Sequence, residues 1–180
     1  MADPAARAAA RLLDPAAIRL DARAAGRDEA VRLCGRMLVE AGAVEPGYVE
    51  AMLERERSIS THLGEGVAIP HGTAAGRDLV RRDALAVVRF PDGVDWDGPR
   101  VTVCIAIAAR GDGHIGILAE LAQVLLDPDR ARALREAATP ADVLRLLDPG
   151  GAGETDEDDD RDSDREHDRD DRLEEQEPTG

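Results

Sequence analysis

The feature of this sequence that most restricts its fold is a nearly continuous apolar run at residues 101–109. A strand with one face in water alternates apolar and polar residues, whereas a strand covered on both faces does not. A second β-branched, apolar segment lies at residues 84–90. We therefore expect both segments in the interior of one sheet, with turns at residues 91–93 and 97–99, which contain Pro, Asp and Gly.

Segments with helical periodicity lie on both sides of these strands. Their apolar residues recur at helical spacing, and Gly, Pro, Asp or Thr residues stand at their ends. The pattern predicts helices at about 27–41, 46–57, 114–126, 129–137 and 140–147, and short strands at 17–20 and 67–69. Helices that alternate with strands predict the α/β class, as a single layered domain with a mixed central sheet flanked by helices.

The acidic charge of the chain is concentrated towards its C-terminal end. The formal net charge is −15, but residues 149–180 hold 15 acidic and four basic residues, which leaves −4 for residues 1–148. A segment so rich in charge and so poor in apolar residues cannot bury enough surface to fold. We expect a flexible leader at residues 1–15, one domain at residues 16–148 and a disordered acidic tail at residues 149–180.

Composition excludes several classes of function. All 23 basic residues are arginines, so the chain lacks the lysine of a Schiff-base enzyme or a P-loop. One Phe, one Trp and one Tyr, together with the negative charge, argue against binding to nucleic acid. No apolar stretch is long enough for a membrane span or a secretory signal, so we expect a cytoplasmic protein without membrane insertion. Cys34 and Cys104 have no CxxC spacing and are expected as buried thiols.

Three of the four histidines lie in or beside loops that contain glycine. Pro70 and Gly72 flank His71, so the chain presents this imidazole stiffly at the end of a short strand, as a candidate nucleophile or acid–base group. His114 begins a predicted helix, whose N-terminus favours a bound anion such as phosphate. A zinc site of His62, His71 and His114 is an alternative, but nothing in their spacing selects it.

Four blocks of this sequence share their order and spacing with a known family. They are LERER at residues 53–57, GEGVAIPHG at 64–72, FPDGVDW at 90–96 and IAARGDGHIGIL at 107–118. On these blocks the chain resembles the mannitol/fructose-type enzyme IIA domain of the bacterial phosphotransferase system, and above all its mannitol branch. The resemblance extends over about residues 17–147.

The resemblance implies a role for each matched residue. His71 would accept a phosphoryl group from the phosphohistidine of the carrier protein HPr and pass it to a cysteine of a cognate enzyme IIB. His114 would be a stabilising neighbour, and Arg55 and the hydroxyl of Thr61 would belong to the same site. The resemblance thus implies a phosphotransferase of sugar uptake that serves a separate membrane permease for mannitol or a related sugar, with no cofactor and no metal.

Two other functions stay open at the level of the sequence. One is a regulatory module of the nitrogen-related enzyme IIA type, whose phosphorylation state controls a protein partner. The other is a metal-dependent hydrolase that uses the histidines. The GVDW turn at residues 93–96 and the approach to His114 at residues 109–114 favour the mannitol-type transport branch.

Overall fold

Residues 8–111 and 113–147 are described by a computed structural model, apart from the side chains of residues 8, 10, 113 and 114. The described α-helices are Ala8–Leu12 (α1), Arg27–Glu40 (α2), Tyr48–Ser58 (α3), Gly113–Leu126 (α4), Pro128–Glu136 (α5) and Pro140–Leu147 (α6). The described strands are Leu13–Arg19 (β1), His62–Gly64 (β2), Val67–Ala68 (β3), Ala84–Asp95 (β4) and Arg100–Ala108 (β5), and a 3-10 helix occupies Ala74–Leu79. None of these helices is both long and apolar enough to cross a membrane.

The centre of the sheet is the antiparallel pair of β4 and β5, which extends from Ala84 opposite Ala108 to Asp95 opposite Arg100. Within residues 101–108, every residue except the half-buried Thr102 is buried. Neighbouring residues of a strand point to opposite faces, so this burial means that both faces of β5 are covered. The apolar run at residues 101–109 predicted this arrangement.

One of the two turns predicted between these strands is in the wrong place. β4 continues through residues 91–93, where its register with β5 shifts and Gly93 adopts a φ of 69°. The chain reverses at Asp97 and Gly98, within the second predicted turn, with φ values of 58° and 126°. The proline and glycine at residues 91–93 mark an irregularity within β4, not a turn. Either residue type can interrupt a strand ladder without ending it.

The strands form one mixed sheet in the order β1-β4-β5-β3-β2. The pairs β1–β4 and β3–β5 are parallel, and the pairs β4–β5 and β2–β3 are antiparallel. Helix α2 packs on β4 and β5, α5 packs on β5, and α6 packs on β1. The predicted α/β domain, with a mixed central sheet flanked by helices, is confirmed.

Regular structure begins within residues 1–15, which we expected to form a flexible leader. Helix α1 and the start of β1 lie within that segment, and β1 pairs in parallel with β4. Leu13 and Ala17 are buried, and burial against the sheet decides a conformation that the local Ala-rich pattern leaves open. The rest of that leader, residues 1–7, and the acidic tail expected at residues 149–180 lie outside the described residues.

Cys34 and Cys104 are both buried and unbridged, as predicted. The fold also brings the two thiols close to each other, where α2 packs on β5. Burial raises the pKa of the Cys104 thiol well above its usual value, and the Cys34 thiol raises this pKa further. The Cys104 thiol therefore stays protonated and packs as a small apolar side chain.

Helix α6 begins with a reciprocal cap at the residues where the sequence predicts a helix start. The Asp142 carboxylate accepts hydrogen bonds from the Thr139 N–H at 2.9 Å and from the Thr139 hydroxyl at 2.7 Å. The Asp142 N–H donates to the Thr139 hydroxyl oxygen at 3.2 Å. These bonds satisfy donors at the helix start, and the Thr139 bonds to the carboxylate lower the pKa of Asp142.

A buried carboxylate, Glu56, joins α3 to the segment that follows it. Glu56 is 2% exposed and accepts hydrogen bonds from the Trp96 indole N–H at 2.7 Å and from the Thr61 N–H at 3.1 Å. The hydroxyls of Thr61 and Ser60 also donate to it. A buried carboxylate is tolerated only when its lone pairs are satisfied in this way. Glu56 thereby ties the end of α3 and the start of β2 to the turn of the β4–β5 hairpin.

We expect Glu56→Ala to lower the free energy of unfolding by about 3 kcal/mol, because the Trp96 indole and the Thr61 amide become buried donors without an acceptor. Urea unfolding measures the change. Glu54→Ala is the matched control, since Glu54 is exposed on the same helix, and it should stay within about 0.5 kcal/mol of the wild type. A loss below about 1 kcal/mol for Glu56→Ala would contradict the importance of these bonds.

The cap of α6 predicts a pH-dependent contribution to stability. Because the pKa of Asp142 is lowered in the folded chain, its stabilisation is complete above the ordinary carboxyl pKa and is lost as the pH falls through the lowered value. We expect Asp142→Ala to lower the urea midpoint at neutral pH and to have little effect in strong acid. Asp21→Ala, at an exposed site that starts no helix, is the control. Equal effects of Asp142→Ala at both pH values would count against the cap.

Candidate functional site

His71 lies just beyond β3, where it forms a parallel bridge with Ile107 of β5. The N–H of Ile107 donates to the carbonyl of Pro70 at 2.9 Å. These contacts extend the pairing of β3 with β5, so the backbone of His71 is held against a central strand of the sheet. The expected presentation of His71 at the end of a short strand is confirmed.

A hydrogen bond fixes the orientation of the His71 ring. Its Nδ1 atom lies 2.8 Å from the carbonyl oxygen of Ile69. A carbonyl oxygen can only accept a hydrogen bond, so in the neutral ring Nδ1 carries the proton and Nε2 carries the lone pair. A half-buried imidazole with a fixed tautomer has one nitrogen prepared for nucleophilic attack.

Tyr48, the only tyrosine of the chain, anchors the backbone next to His71. Its hydroxyl donates to the carbonyl of Ile107 at 2.9 Å and accepts from the N–H of Gly72 at 2.9 Å. Tyr48 is 3% exposed, and burial raises the pKa of its phenol while the Gly72 hydrogen bond opposes this shift. Sequence reasoning gave Tyr48 no role, because a lone tyrosine at a helix start shows no partner in the sequence.

Gly72 is required by the close approach of the Tyr48 ring. A Cβ atom at Gly72 would lie 2.5 Å from Cε2 and 2.8 Å from Cζ of Tyr48. Such distances are far inside van der Waals contact, so any side chain at residue 72 displaces the ring. The prediction that Gly72 permits a close backbone approach beside His71 is therefore confirmed.

A pocket of about 320 Å³ opens beside His71. Its wall comes from α3, from the segment after β3, from β5 and its end, and from α4. The lining residues are Tyr48, Arg55, His71, Gly72, Thr73, Ala74, Arg77, Ile107, Ala109 and Leu118. Among these described residues two are arginines and none is a carboxylate, although the whole chain has a net charge of −15. A pocket with this charge suits an anion.

Arg55 and His71 line the same pocket. Arg55 lies in the last turn of α3 and is half-buried, and its Nη1 atom donates to the carbonyl of Ile59 at 2.7 Å. Arg77, which sequence reasoning missed, lines the pocket from the 3-10 helix. Within residues 8–111 and 113–147, no carboxylate forms an ion pair with either arginine. Among the described residues, both arginines thus line the pocket without a carboxylate partner.

Thr61 lies outside the wall of this pocket, and its hydroxyl donates to Glu56. Its carbonyl accepts a hydrogen bond from the N–H of Ile69 at 3.0 Å, and Ile69 in turn holds the ring of His71. Thr61 is thus connected to His71 through the backbone. His62 lies in β2 opposite Ala68, away from the wall of the pocket.

His114 lies in the first turn of α4, and its side chain is outside the described part of the structure. Leu118, four residues later on α4, lines the pocket. The zinc alternative includes His114 and falls outside the described side chains for the same reason. Among the side chains that are described, no group of three His, Cys, Asp or Glu residues is placed to hold a metal ion.

The fold and the pocket define a small α/β domain in which a half-buried imidazole lies beside a pocket lined by two arginines. A family model described as "Phosphoenolpyruvate-dependent sugar phosphotransferase system, EIIA 2" matches residues 11–149. The chain belongs to this family, so the resemblance seen in the sequence is confirmed.

Relatives of known name agree with this membership. The chain is 39% identical over 136 residues to the mannitol-specific phosphotransferase enzyme IIA component of Halalkalibacterium halodurans, covering 76% of this chain and 94% of that protein. It is 45% identical over 126 residues to a multiphosphoryl transfer protein of Escherichia coli O157:H7, covering 69% of this chain. The chain spans only 34% of the length of that second relative.

Solved structures show the same fold. The complex of enzyme IIAMTL and phosphorylated enzyme IIBMTL from Escherichia coli matches with a TM-score of 0.70 and 36% identity, covering 76% of this chain and 98% of that one. The nitrogen regulatory protein IIA-Ntr from Neisseria meningitidis matches with a TM-score of 0.68 and 26% identity, covering 77% and 97%. The chain is therefore a type 2 enzyme IIA domain similar to the mannitol-specific members.

The packing of Tyr48 on Gly72 predicts a sharp difference between two glycines. We expect Gly72→Ala to lower the free energy of unfolding by about 1–3 kcal/mol, because the added methyl group displaces the buried ring. Gly26→Ala is the matched control, since an added Cβ there meets nothing within 4 Å and the backbone is extended. Urea unfolding compares the two variants. Equal stability of the two variants would show that the Tyr48 ring can move aside without a loss in the free energy of unfolding.

Proposed function

We propose that this chain is a phosphocarrier of a sugar phosphotransferase system. In this proposal His71 accepts a phosphoryl group from the phosphohistidine of HPr and passes it to a cysteine of a cognate enzyme IIB. The sugar taken up and phosphorylated at the end of this sequence of transfers is mannitol or a related sugar. Family membership and similarity to the mannitol-specific relatives support this assignment.

The observation that carries the proposal is the state of the His71 ring beside a cationic pocket. The Ile69 carbonyl holds the proton on Nδ1, so the lone pair of Nε2 is the nucleophile. Two arginines line the pocket in which an incoming phosphoryl group would lie. A neutral imidazole next to positive charge suits attack on an anionic phosphorus centre.

The transfer can be written with this tautomer. The lone pair of His71 Nε2 forms a bond to phosphorus while the bond from phosphorus to the donor's ring nitrogen breaks, and the electron pair of the broken bond stays on the donor. The proton stays on Nδ1, in its hydrogen bond to the Ile69 carbonyl oxygen. In the second transfer a cysteine thiolate of enzyme IIB forms a sulfur–phosphorus bond, and Nε2 regains its lone pair.

Positive groups and donors are needed around the phosphoryl oxygens during both transfers. Arg55 reaches the wall of the pocket from α3 and is one such group in our proposal. Position 114 lies one turn before Leu118, which lines the pocket, so both positions share one face of α4. This placement supports His114 as the stabilising neighbour.

We assign Thr61 a positioning role instead of a contact with the phosphoryl group. Its hydroxyl is bonded to the buried Glu56, and its carbonyl holds the N–H of Ile69 at 3.0 Å. The carbonyl of the same Ile69 orients the His71 ring. A chain of hydrogen bonds thus runs from Glu56 through Thr61 to the acceptor histidine.

The partners follow from the same proposal. A relative of this fold was solved as the complex of enzyme IIAMTL with phosphorylated enzyme IIBMTL, which supports an enzyme IIB as the acceptor for this chain. The HPr donor rests on the resemblance alone. The regulatory alternative is supported by the match to nitrogen regulatory protein IIA-Ntr, at 26% identity compared with 36% for the mannitol protein.

Substitutions of the histidines should have distinct effects on phosphorylation of the chain. Incubated with phosphoenolpyruvate, enzyme I and HPr, the wild type should gain one acid-labile phosphoryl group, and His71→Ala should gain none. His114→Ala should still react but about 100–1,000-fold more slowly, the cost of losing one donor to a developing charge, and His114→Gln should recover part of that loss. His62→Ala is the control and should match the wild type, since His62 does not line the pocket.

Intact mass and peptide mapping under alkaline conditions locate the phosphoryl group. A label on His114 of the wild type would reverse the assignment, and no label at all would exclude a phosphocarrier. Transfer from the labelled chain to the enzyme IIB of a mannitol permease separates the two roles. Transfer supports the transport function, whereas a labelled chain that transfers nothing and binds a protein partner in only one phosphorylation state supports the regulatory one.

A further inference from the structure

The hydroxyl of Thr73 is buried and has no hydrogen-bond partner among the described residues. Within the part of the chain that the structure describes, every other buried side-chain nitrogen or oxygen atom has a hydrogen-bond partner. A buried hydroxyl without a partner in the chain is unfavourable, so the Thr73 hydroxyl gains from a ligand that accepts its hydrogen bond. Thr73 lies two residues after His71 and lines the same pocket.

Arg77 provides a positive charge on the same segment. It is exposed, lies in the 3-10 helix Ala74–Leu79 and lines the pocket together with Thr73. No carboxylate within the described residues forms an ion pair with it. Arg55 reaches the pocket from a different element, α3, so the two arginines approach the pocket from separate parts of the fold.

We infer that Thr73 and Arg77 bind the oxygens of the phosphoryl group once it is on His71. This inference rests on the proposed phosphocarrier function and adds two residues that hold the product of the first transfer. The Thr73 hydroxyl donates to one phosphoryl oxygen after rotation about its χ1 angle, and the Arg77 guanidinium donates to another. Hydrogen bonds to an ionised oxygen are stronger than those between neutral groups, so both contacts favour the phosphorylated chain.

The inference predicts opposite effects of Thr73→Val in the two states. Without phosphate, the variant removes an unsatisfied hydroxyl and should unfold at the same or a higher urea concentration than the wild type. In the phosphorylated state it removes a donor to the phosphoryl group, so the equilibrium with phospho-HPr should shift about 10-fold away from this chain. A residue with a purely structural role would change both states in the same direction.

Matched variants isolate each contact. Thr73→Ser keeps the hydroxyl and should restore the equilibrium with phospho-HPr to near the wild-type value. Thr102→Val is the control for loss of a half-buried threonine hydroxyl outside the pocket, and should leave that equilibrium unchanged. Arg77→Gln should shift it about 10-fold, whereas Arg81→Gln, at an exposed arginine outside the pocket, should not.

The measurement is the ratio of phosphorylated to unphosphorylated chain at equilibrium with HPr of known phosphorylation, read by intact mass, with the hydrolysis rate of the isolated phospho-form as a second readout. Shifts for Thr73→Val and Arg77→Gln, with none for the two controls, support the inference. Wild-type ratios for Thr73→Val and Arg77→Gln overturn it while the phosphocarrier function stands. A wild-type chain that accepts no phosphoryl group overturns the proposed function and this inference together.

Discussion

The hydroxyl of Tyr48 is the interaction on which the geometry of the site depends. It bridges the Gly72 N–H and the Ile107 carbonyl, and so joins α3, the segment after β3 and the central strand β5 at one buried atom. His71 is the neighbour of Gly72 in the chain and the bridge partner of Ile107 on the sheet. Its backbone is therefore held from both sides, and the Ile69 carbonyl fixes only the orientation of its ring.

Helix α3 organises the charges of the site because of its periodicity. Tyr48 and Arg55 are seven residues apart, which is two turns, and both line the pocket. Glu56, the next residue, points away from that face into a cluster of buried donors that includes Trp96. One helix thus directs a positive charge towards the pocket beside His71 and places a negative charge in the core, where hydrogen bonds satisfy it.

Much of the fold was predictable because burial leaves a periodic trace in the sequence. The continuous apolar run of β5 and the capping residues Thr139 and Asp142 predicted a central strand and a helix start, and both are observed. Helix α1, the 3-10 helix and the short strand β2 were not predicted. Their few residues carry no periodicity, and contacts with distant segments decide their conformation.

The sequence by itself determined which residues could do chemistry and placed His71 at a strand end, because Pro70 and Gly72 act on the backbone next to them. It also contained the four blocks that identify the family. Only the tertiary structure decided that Tyr48 anchors His71, that Thr61 turns to Glu56, and that Arg77 joins the pocket. Such contacts connect residues far apart along the chain or depend on how a side chain is oriented, and neither property leaves a local pattern in the sequence.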